Sequence, residues 1–412
     1  MLAFRPRARF VVPAPDGTTV DVGPGCKWED VYAALQPLGK TAVGGRLGDV
    51  GVVGFLLGGG LSYLSAQHGL ACDNVVSFEC VLADGTVVTA SRTSHPDLFL
   101  ALRGGGNQFA VVTRMTLRTH DVGDGGRVWG GIRTYAADQH AALLSAVSNF
   151  TAANGRHPRA ALIPNFNFLA GLGLNLPFAF FFFFYDGREP ADGAFDAFDA
   201  IPHLTSGTAT KTYAALTSEA LGGDYKGLRF QIRTGTFPNM PLPPMTAFLA
   251  DHFRHIAAAT AAGARADVLD LRLLTYAPQP LSRALVQASL DAGGGNALGL
   301  VPEHGDRVWM EYDMAWANPL CDTKCPSFFR DTIDSARAIH ENKYAGIAPT
   351  NYAEGDLSFL SYNPLFMNDA MADQKVLQSY GEDNYQRLKA IHQKYDPDDF
   401  FSTRQGGFKF TP

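Results

Sequence analysis

The sequence predicts an α+β protein with more than one domain. Its 412 residues exceed the length of one usual domain. Hydrophobic residues recur with the helical period in some segments and alternate with the strand period in others. Between Asp121 and Arg127 the chain becomes rich in Gly and Asp, and the elements beyond are longer. This change of texture indicates a domain junction.

Charge and composition exclude several partner classes. With 34 basic and 40 acidic residues the net charge is −6, and no basic block occurs, so neither nucleic acid nor an acidic membrane is expected as a partner. The first residues lack the apolar run and cleavage site of a signal peptide, and the location of the protein stays open. Five cysteines are too few for a disulfide scaffold, and Cys321 and Cys325 are expected as a local disulfide or two free thiols rather than a zinc site.

The first part of the chain carries short elements bounded by turn residues. On its last strand, Val111 is predicted to share one face with Met115. The predicted elements are a hairpin of 10–12 and 18–22, a helix from Trp28 that ends by Gly39, strands 75–82 and 86–89, a short helix to Leu102 and a strand over 109–118.

Glycine is concentrated between Gly44 and Gly60, a stretch we call the glycine segment. No ordinary helix or strand tolerates so much glycine, because each one costs conformational entropy on folding. The interleaved Val, Leu and Phe residues predict burial, so the backbone N–H groups could face a phosphate or a flat cofactor ring. The alternative is a tight turn packed on neighbouring backbone. Neither the P-loop nor the Rossmann fingerprint is present.

The middle of the chain mixes longer helices and strands. The uncharged stretch from Leu162 to Tyr185 would also be long enough for a membrane span, but Pro164 and Pro177 favour two buried strands joined by a turn. The apolar stripe from Val308 to Trp316 favours core over a substrate wall. Helices are predicted at 138–152, 245–262 and 327–342, and strands at 159–168, 178–185, 227–234, 267–276 and 307–316.

Near the C-terminus, Tyr385, Leu388 and Ile391 recur with the helical period and are predicted to face inward. This apolar face needs a partner, so we expect the helix to pack on residues 1–122. Three histidines lack spacing partners and are expected to be solvated or hydrogen-bonded rather than metal ligands: His68, His304 and His392.

Motifs in both ends of the chain occur together in a characteristic order. They are Val22–Gly25, Trp28, Val31-Tyr32, Gly51–Ser62, His68–Leu70, Asp73–Val76, Ala83–Gly85, Leu102–Asn107, Phe109, Val111–Thr113, Asn384-Tyr385, Leu388 and Lys394–Pro397. This set resembles the FAD-linked oxidases of the vanillyl-alcohol-oxidase superfamily, in particular the berberine-bridge-enzyme-like group.

The resemblance implies a split FAD-binding domain of the PCMH type with an inserted substrate domain built on an antiparallel sheet. Residues 1–122 would form the FAD-binding domain, with its N-terminal subdomain missing. Residues 123–350 would form the substrate domain. Residues 351–412 would be a berberine-bridge-like segment that returns to the FAD domain.

The resemblance also implies the site residues. A valine at Val50 would leave a gap for O2 beside the flavin where a leucine would exclude it, and a merely buried valine is the alternative. The base would be a tyrosine of strongly lowered pKa, with Tyr380 preferred over Tyr362 and Tyr312, and a buried structural tyrosine beside Gly381 is the alternative for Tyr380. The implied cofactor contacts are Gly51, Gly54, Gly58, Gly59, Gly60, Leu61, Ser62, His68, Gly69, Asn74, Val75 and Val111.

Two family features have no match in this sequence. The first is the upstream Arg-x-Gly-Gly-His loop that wraps the pyrophosphate and often bonds FAD through its His. The second is an attachment Cys, where Leu47 stands instead, so bicovalent FAD is not expected. We therefore expect a truncated chain, weak FAD binding or a cofactor-free relative. A site open on the pyrophosphate side and little FAD in the purified protein are expected as well.

The function implied by the resemblance is oxidation of a small hydroxylated or amine-bearing metabolite or sugar. Hydride would pass to flavin N5, a base would take a proton, and O2 would reoxidise the flavin. The expected partners are the small-molecule substrate and O2. The alternative is a non-redox relative that binds or isomerises a metabolite without flavin turnover.

Overall fold

The computed structural model describes residues 8–171, 174–219, 227–265, 270–353 and 360–410. Within these ranges the longer β-strands belong to two sheets, one of six strands and one of eight. Helices pack on both sheets, so the predicted α+β class is confirmed. The six-stranded sheet lies within the first 122 residues, and the eight-stranded sheet follows it along the chain.

The first sheet is assembled from short strands. Its strands are β1 (Val11–Pro13), β2 (Thr19–Val22), β3 (Lys40–Ala42), β4 (Val75–Val81), β5 (Val87–Ser91) and β6 (Val111–Asp121), and the helices among them are α1 (Trp28–Leu35), α2 (Val52–Leu57), α3 (Ser65–His68) and α4 (Pro96–Leu102). The strand order is β1-β2-β6-β4-β5, with β3 beside β6, and neighbours run antiparallel. The predicted hairpin, first helix and short strands are confirmed.

One detail of β6 differs from the prediction. Val112 is buried and Val111 is only half-buried, although simple alternation placed Val111 on the inward side with Met115. The register between β4 and β6 shifts between Glu79 and Cys80, which marks a bulge. A bulge adds one residue to one strand, so the alternation changes phase there.

The second sheet is larger and forms a continuous antiparallel surface. Its strands are β7 (Arg127–Tyr135), β8 (Ala160–Gly171), β9 (Leu174–Tyr185), β10 (Thr205–Ser206), β11 (Ala209–Thr212), β12 (Arg229–Pro238), β13 (Leu271–Leu281) and β14 (Arg307–Trp316). The order is β10-β7-β9-β8-β13-β14-β12, with β11 beside β7. The remaining helices are α5 (His140–Ala153), α6 (Asp196–Asp199), α7 (Tyr213–Thr217), α8 (Pro244–Arg265), α9 (Arg283–Gly293), α10 (Lys324–Lys343), α11 (Glu382–Tyr395) and α12 (Phe400–Arg404).

The eight-stranded sheet has two different faces. Its core face packs under α5, α8 and α10, and the predicted stripe Val308–Trp316 contributes its apolar side chains to that core. The uncharged stretch forms two paired strands, β8 and β9, as predicted, while the turn at 172–173 lies outside the described residues. Among the described helices, none combines the length and apolar character that a bilayer-spanning segment needs.

The C-terminal helix packs on the first part of the chain. α11 buries Tyr385, Leu388 and Ile391 in the core that surrounds the six-stranded sheet, which confirms its predicted inward face. It contacts α4, and Lys394 and Tyr395 near its end hydrogen-bond to the Asp97 carboxylate at 2.6 and 2.8 Å. The two ends of the chain therefore meet, and the exact domain boundaries stay a prediction.

Candidate active site

A cavity of about 650 Å³ lies between the glycine segment and the second face of the eight-stranded sheet. Its volume falls in the range of roughly 300–1,000 Å³ that small-molecule and cofactor sites occupy. One wall comes from the glycine segment and the loop before α11, and the other from β8, β9, β12, β13 and β14. We call the sheet surface on this side the cavity face.

The glycine wall consists of bare backbone at two positions. Gly51 and Gly54 line the cavity, and a Cβ added to either would meet no atom within 4 Å. Val50 and Leu61 line the same wall. Free space in front of unsubstituted backbone suits the close approach of a flat ring.

Asn368, in the loop before α11, fixes the shape of this wall. Its side-chain oxygen accepts the N–H of Gly60 at 3.0 Å, and its amide donates to the carbonyls of Gly54 and Phe55 at 3.3 and 3.2 Å. A Cβ on Gly58 would overlap the Asn368 side chain. At Gly58 the absence of a side chain therefore makes room for Asn368.

Three carboxyl groups face the cavity. Glu311 and Asp313 alternate along β14 with the core residue Tyr312, and Asp369 comes from the loop before α11. Burial raises the pKa of all three, and the negative charge of Asp369 raises the pKa of the other two further. The Oδ1 atom of Asp313 is buried and has no hydrogen-bond partner within the described structure. Such acids, set in a cleft, are a common feature of functional sites.

A hydrogen-bonded chain links one of these acids to the glycine segment. Arg46 donates to the side-chain oxygen of Gln279, whose amide donates to Asp369 at 2.8 Å. Burial raises the pKa of Asp369 to about 6, while the charge of Arg46 and the bond from Gln279 oppose the rise. The charge of Arg46 therefore helps to keep the Asp369 carboxyl group ionised near neutral pH.

The rest of the cavity face is apolar with a few amides. Thr275 on β13 donates to the side-chain oxygen of Asn167 on β8 at 2.8 Å. Phe180 and Phe182 project from β9 into the same space. An apolar pocket with a few polar groups is the usual composition of a ligand site.

The three tyrosines that the sequence favoured as bases lie elsewhere. The Tyr312 hydroxyl meets Nε2 of His252 at 2.5 Å on the core face, and the Tyr380 hydroxyl donates to the carbonyl of Gly104 at 3.1 Å. Tyr362 accepts a backbone N–H at 2.7 Å. Burial raises the pKa of each, to about 12 for Tyr362, which is the opposite of what a phenol base needs. None of the three lines the cavity.

The glycines expected to contact FAD divide into two groups. Gly51 and Gly54 form the first group and line the cavity. Leu61, another expected FAD contact, and Val50, expected to control oxygen access, line it too. Behind this wall, three glycines are buried against other side chains. These are Gly58 against Asn368, Gly59 against Leu298 and Gly60 against Phe55.

The remaining cofactor candidates do not line this cavity. Ser62 lines a small space on the far side of Leu61. His68 and Asn74 lie at a separate groove, where His68 stacks on His120 with ring centroids 3.9 Å apart. Gly69 packs on the backbone of α9, Val75 is buried at the start of β4, and Val111 is half-buried on β6. Their roles toward FAD stay predictions.

Sequence reasoning missed the four charged residues of the cavity. The pattern Glu311-Tyr312-Asp313 did place two acids opposite the apolar stripe of β14, so alternation could have identified them. Arg46 lies in an irregular segment and Asp369 ends a 3-10 turn of three residues, Met367–Asp369, and neither segment is long enough to show a period. Their meeting through Gln279 depends on the tertiary fold.

The other predicted polar sites have simple outcomes. Cys321 and Cys325 form a disulfide, one of the two expected states. His392 lies between the carbonyl of Gln108 and the carboxylate of Asp399, at 3.0 and 2.9 Å. Among the described residues, no group of three or more His, Cys, Asp or Glu could hold a metal ion.

Comparison with known proteins identifies the family. The model of the FAD binding domain matches residues 9–91, and that of berberine and berberine-like proteins matches 350–406. An FAD-dependent monooxygenase of Arthrobotrys oligospora is 32% identical over 406 residues, which cover 96% of this chain and 70% of the relative. The chain belongs to the berberine-bridge-enzyme-like FAD-dependent oxidoreductases.

Solved structures of other oxidases share the fold. A carbohydrate oxidase from Microdochium nivale superposes with a TM-score of 0.69 at 19% identity, covering 98% of this chain and 81% of its own. The 6-hydroxy-D-nicotine oxidase from Arthrobacter nicotinovorans gives 0.66 at 18% identity with the same coverage. At such identities the likeness establishes the fold alone.

The cavity of this flavoprotein fits the ring system of FAD. Gly51 and Gly54 supply backbone without side chains, and Phe55 and Leu61 supply apolar surface. The unpartnered Oδ1 of Asp313 offers an acceptor on the opposite wall. Bare backbone, apolar surface and unpartnered polar atoms together match a flat ring with polar edges and a substrate beside it.

Proposed function

We propose that this protein oxidises a small hydroxylated or amine-bearing molecule, a metabolite or a sugar, in the cavity, using FAD and O2. The observation that supports the proposal is the meeting of the bare glycine wall with three acids on one cavity. The names of the similar proteins fit it, since the sequence relatives include an FAD-dependent monooxygenase and the proteins of similar fold include a carbohydrate oxidase and 6-hydroxy-D-nicotine oxidase.

The glycine wall would hold the cofactor ring. Val50, Gly51, Gly54 and Leu61 present apolar surface and backbone to one side of the cavity. FAD, when bound, supplies a hydride acceptor that can pass its electrons to O2. The substrate would then lie between this wall and the cavity face, among Phe180, Phe182 and the acids.

Asp369 would remove the substrate proton. Its pKa of about 6 makes it a carboxylate at neutral pH and places it near the range where a general base works best. The hydrogen bond from Gln279 holds the carboxylate in place, and Arg46 holds Gln279. The raised pKa values of Glu311 and Asp313 leave these groups suited to binding the polar part of the substrate.

The test supplies the protein with FAD and then with candidate substrates. An absorbance scan over the flavin bands shows whether FAD is held, and anaerobic bleaching shows whether a substrate reduces it. We expect bleaching by at least one alcohol, sugar or amine, and hydrogen peroxide when air returns. Isotopic oxygen in the product without peroxide would assign a monooxygenase. Absence of any retained or reducible flavin would favour the non-redox alternative and contradict the proposal.

A further inference from the structure

We propose that the cavity selects a substrate with a basic nitrogen and binds it as the ammonium ion, with Asp313 and Glu311 as its anchors. The inference rests on the proposed function and names the substrate class for the same cavity. It is argued from the charges, the unpartnered atoms and the apolar surface that surround this space.

The acidic side chains of the cavity outnumber its basic ones. Glu311 and Asp313 face it from β14, Asp369 faces it from the loop before α11, and Arg46 faces it from the glycine segment. The other polar side chains of the described lining are neutral amides and one hydroxyl. Three acids therefore face one base, and a cation would be complementary to the acids that ionise when it binds.

The one base is already engaged by a neutral group. Arg46 donates to Gln279, and no ion pair within 4.0 Å joins it to Glu311, Asp313 or Asp369 in the described structure. Gln279 in turn occupies one oxygen of Asp369. Arg46 therefore acts on Glu311 only through its charge at a distance, where it opposes the rise of the pKa, and no cation among the described residues acts in this way on Asp313.

Asp313 carries the strongest indication of a missing donor. Its Oδ1 atom is buried and has no hydrogen-bond partner within the described structure. A buried acceptor without a donor is unfavourable, so native structures usually provide one. An ammonium N–H of the ligand would supply both the donor and the positive charge.

The apolar part of the cavity also suits a cation. Phe180, Phe182 and Phe230 line the same space as the acids. Aromatic rings attract ammonium groups through their faces, in addition to packing against the carbon skeleton of a ligand. A neutral polyol would gain less from these walls.

Binding of an ammonium ion would change the protonation of the cavity. Burial raises the pKa of Glu311 and Asp313, and the charge of Asp369 adds to the rise. A cation placed beside them lowers the pKa of both again, because an opposite charge favours the ionised carboxylate. Protons should therefore leave the protein when the amine binds.

The experiment measures binding rather than turnover. Benzylamine, benzyltrimethylammonium and benzyl alcohol are titrated calorimetrically into the FAD-supplied protein at pH 7, in two buffers of different ionisation enthalpy. We expect benzylamine to bind about tenfold or more tightly than the alcohol, and benzyltrimethylammonium, which carries the charge without an N–H, to fall between the two. Proton release should accompany the cations and be absent for the alcohol.

Variants locate the preference. Asp313→Asn should abolish most of the cation preference, because it should lower the affinity for the cations much more than the affinity for the alcohol. Glu311→Gln alone should weaken the preference, and the double variant should weaken it further. The matched control is Asp373→Asn, which makes the same change of charge at a carboxylate that pairs with Arg233 outside this cavity. This control should retain the preference, and its circular dichroism and melting curve should show that the fold is intact.

Three results would overturn the inference: equal or tighter binding of the alcohol, no measurable binding of any probe, or a preference that survives in both cavity variants. Its failure is separable from that of the proposed function. If neutral sugars alone reduce the flavin, the ammonium anchor is contradicted and the proposed oxidoreductase activity is supported. If the cations bind but no substrate reduces the flavin, the ammonium anchor is supported and the proposed oxidoreductase activity is contradicted.

Discussion

The core face and the cavity face of the eight-stranded sheet are made by the same strands and serve opposite purposes. Along β9, Phe181 and Phe183 pack into the core under the helices, while Phe180 and Phe182 border the cavity. Along β14, Tyr312 lies on the core face between Glu311 and Asp313, which face the cavity. Because successive side chains of a strand point to opposite faces, the residues that stabilise the core and the residues that line the cavity alternate along the same strands.

The two faces differ in packing and in acidic content. The core face is closed by ring-to-ring contacts, as between Phe181 and Tyr135 at 5.5 Å. The cavity face keeps three acids whose pKa is raised by burial, one of them with an unpartnered oxygen. We infer that these buried acids lower the stability of the folded protein, and that they are present because the cavity has to bind a ligand and accept protons.

The largest effect should come from the base itself. Asp369→Asn removes the proton acceptor and leaves the Gln279 amide beside a neutral group, so kcat/KM should fall by about 10²- to 10⁴-fold. The core-face variant Tyr312→Phe should leave kcat/KM unchanged and lower stability. Stopped-flow flavin reduction with the substrate found above measures both.

The pH profile gives an independent check on the same residue. Because the pKa of Asp369 is about 6 in the folded protein, kcat/KM should rise with pH through that value and then level off. Arg46→Gln removes the charge that lowers this pKa, so the rise should move to higher pH. An activity that Asp369→Asn leaves intact would contradict the assignment of the base.

The next prediction compares how much a substitution on each face of the sheet lowers the free energy of unfolding. Phe181→Ala should lower the free energy of unfolding by about 3–5 kcal/mol, since it leaves an enclosed void among Tyr135, Phe166 and Phe198. Phe180→Ala enlarges a cavity that already exists and should cost less than half as much. Urea titration measures both, and equal losses would contradict the distinction between the faces.

Much of the fold could be predicted from local patterns, and little of the site could. Short windows of sequence carry the periods of α1, α11 and five strands of the second sheet, β8, β9, β12, β13 and β14, so these elements were predicted, whereas β7, β10 and β11 were not. The bulge that reverses Val111 and Val112 has no such signal. The meeting of Arg46, Gln279 and Asp369 joins three distant segments, and neither period nor spacing can indicate it.

Glycine illustrates the same limit. The glycine count predicts that some group closely approaches the backbone. Which group it is depends on the tertiary structure and cannot be read from the count. At Gly58 the partner is the side chain of Asn368, whereas at Gly51 and Gly54 it is open cavity. One motif thus contains two different reasons for glycine.

A smaller effect concerns the acids and the pH dependence of stability. Acids in the unfolded chain ionise near pH 4, whereas burial raises the pKa of Asp313, Glu311 and Asp369 in the folded protein. The folded protein therefore keeps protons that the unfolded chain has released, and stability falls as pH rises from about 4 past 6. Asp313→Asn should raise the free energy of unfolding at pH 7 by about 1–3 kcal/mol. Melting temperatures from pH 4 to 8 check it, and a variant less stable than the parent at pH 7 would contradict it.

The smallest effect tests access of oxygen through the glycine wall. Val50 is half-buried, lines the cavity and precedes Gly51, where the backbone is bare. Val50→Leu adds one methylene to this wall and should close part of the gap beside the bound ring.

The measurement is the rate at which photoreduced flavin reoxidises in air, on protein supplied with FAD. We expect Val50→Leu to slow this step by up to about tenfold, or 1.4 kcal/mol in the barrier, with the FAD content unchanged. The matched control is Val53→Leu, the same substitution at a partly buried position that packs on the core and does not line the cavity. Because reoxidation follows substrate oxidation, anaerobic reduction should keep its rate in both variants. Equal reoxidation rates in the parent and Val50→Leu would show that oxygen reaches the ring by another route, and the cavity face would then be the place to look for it.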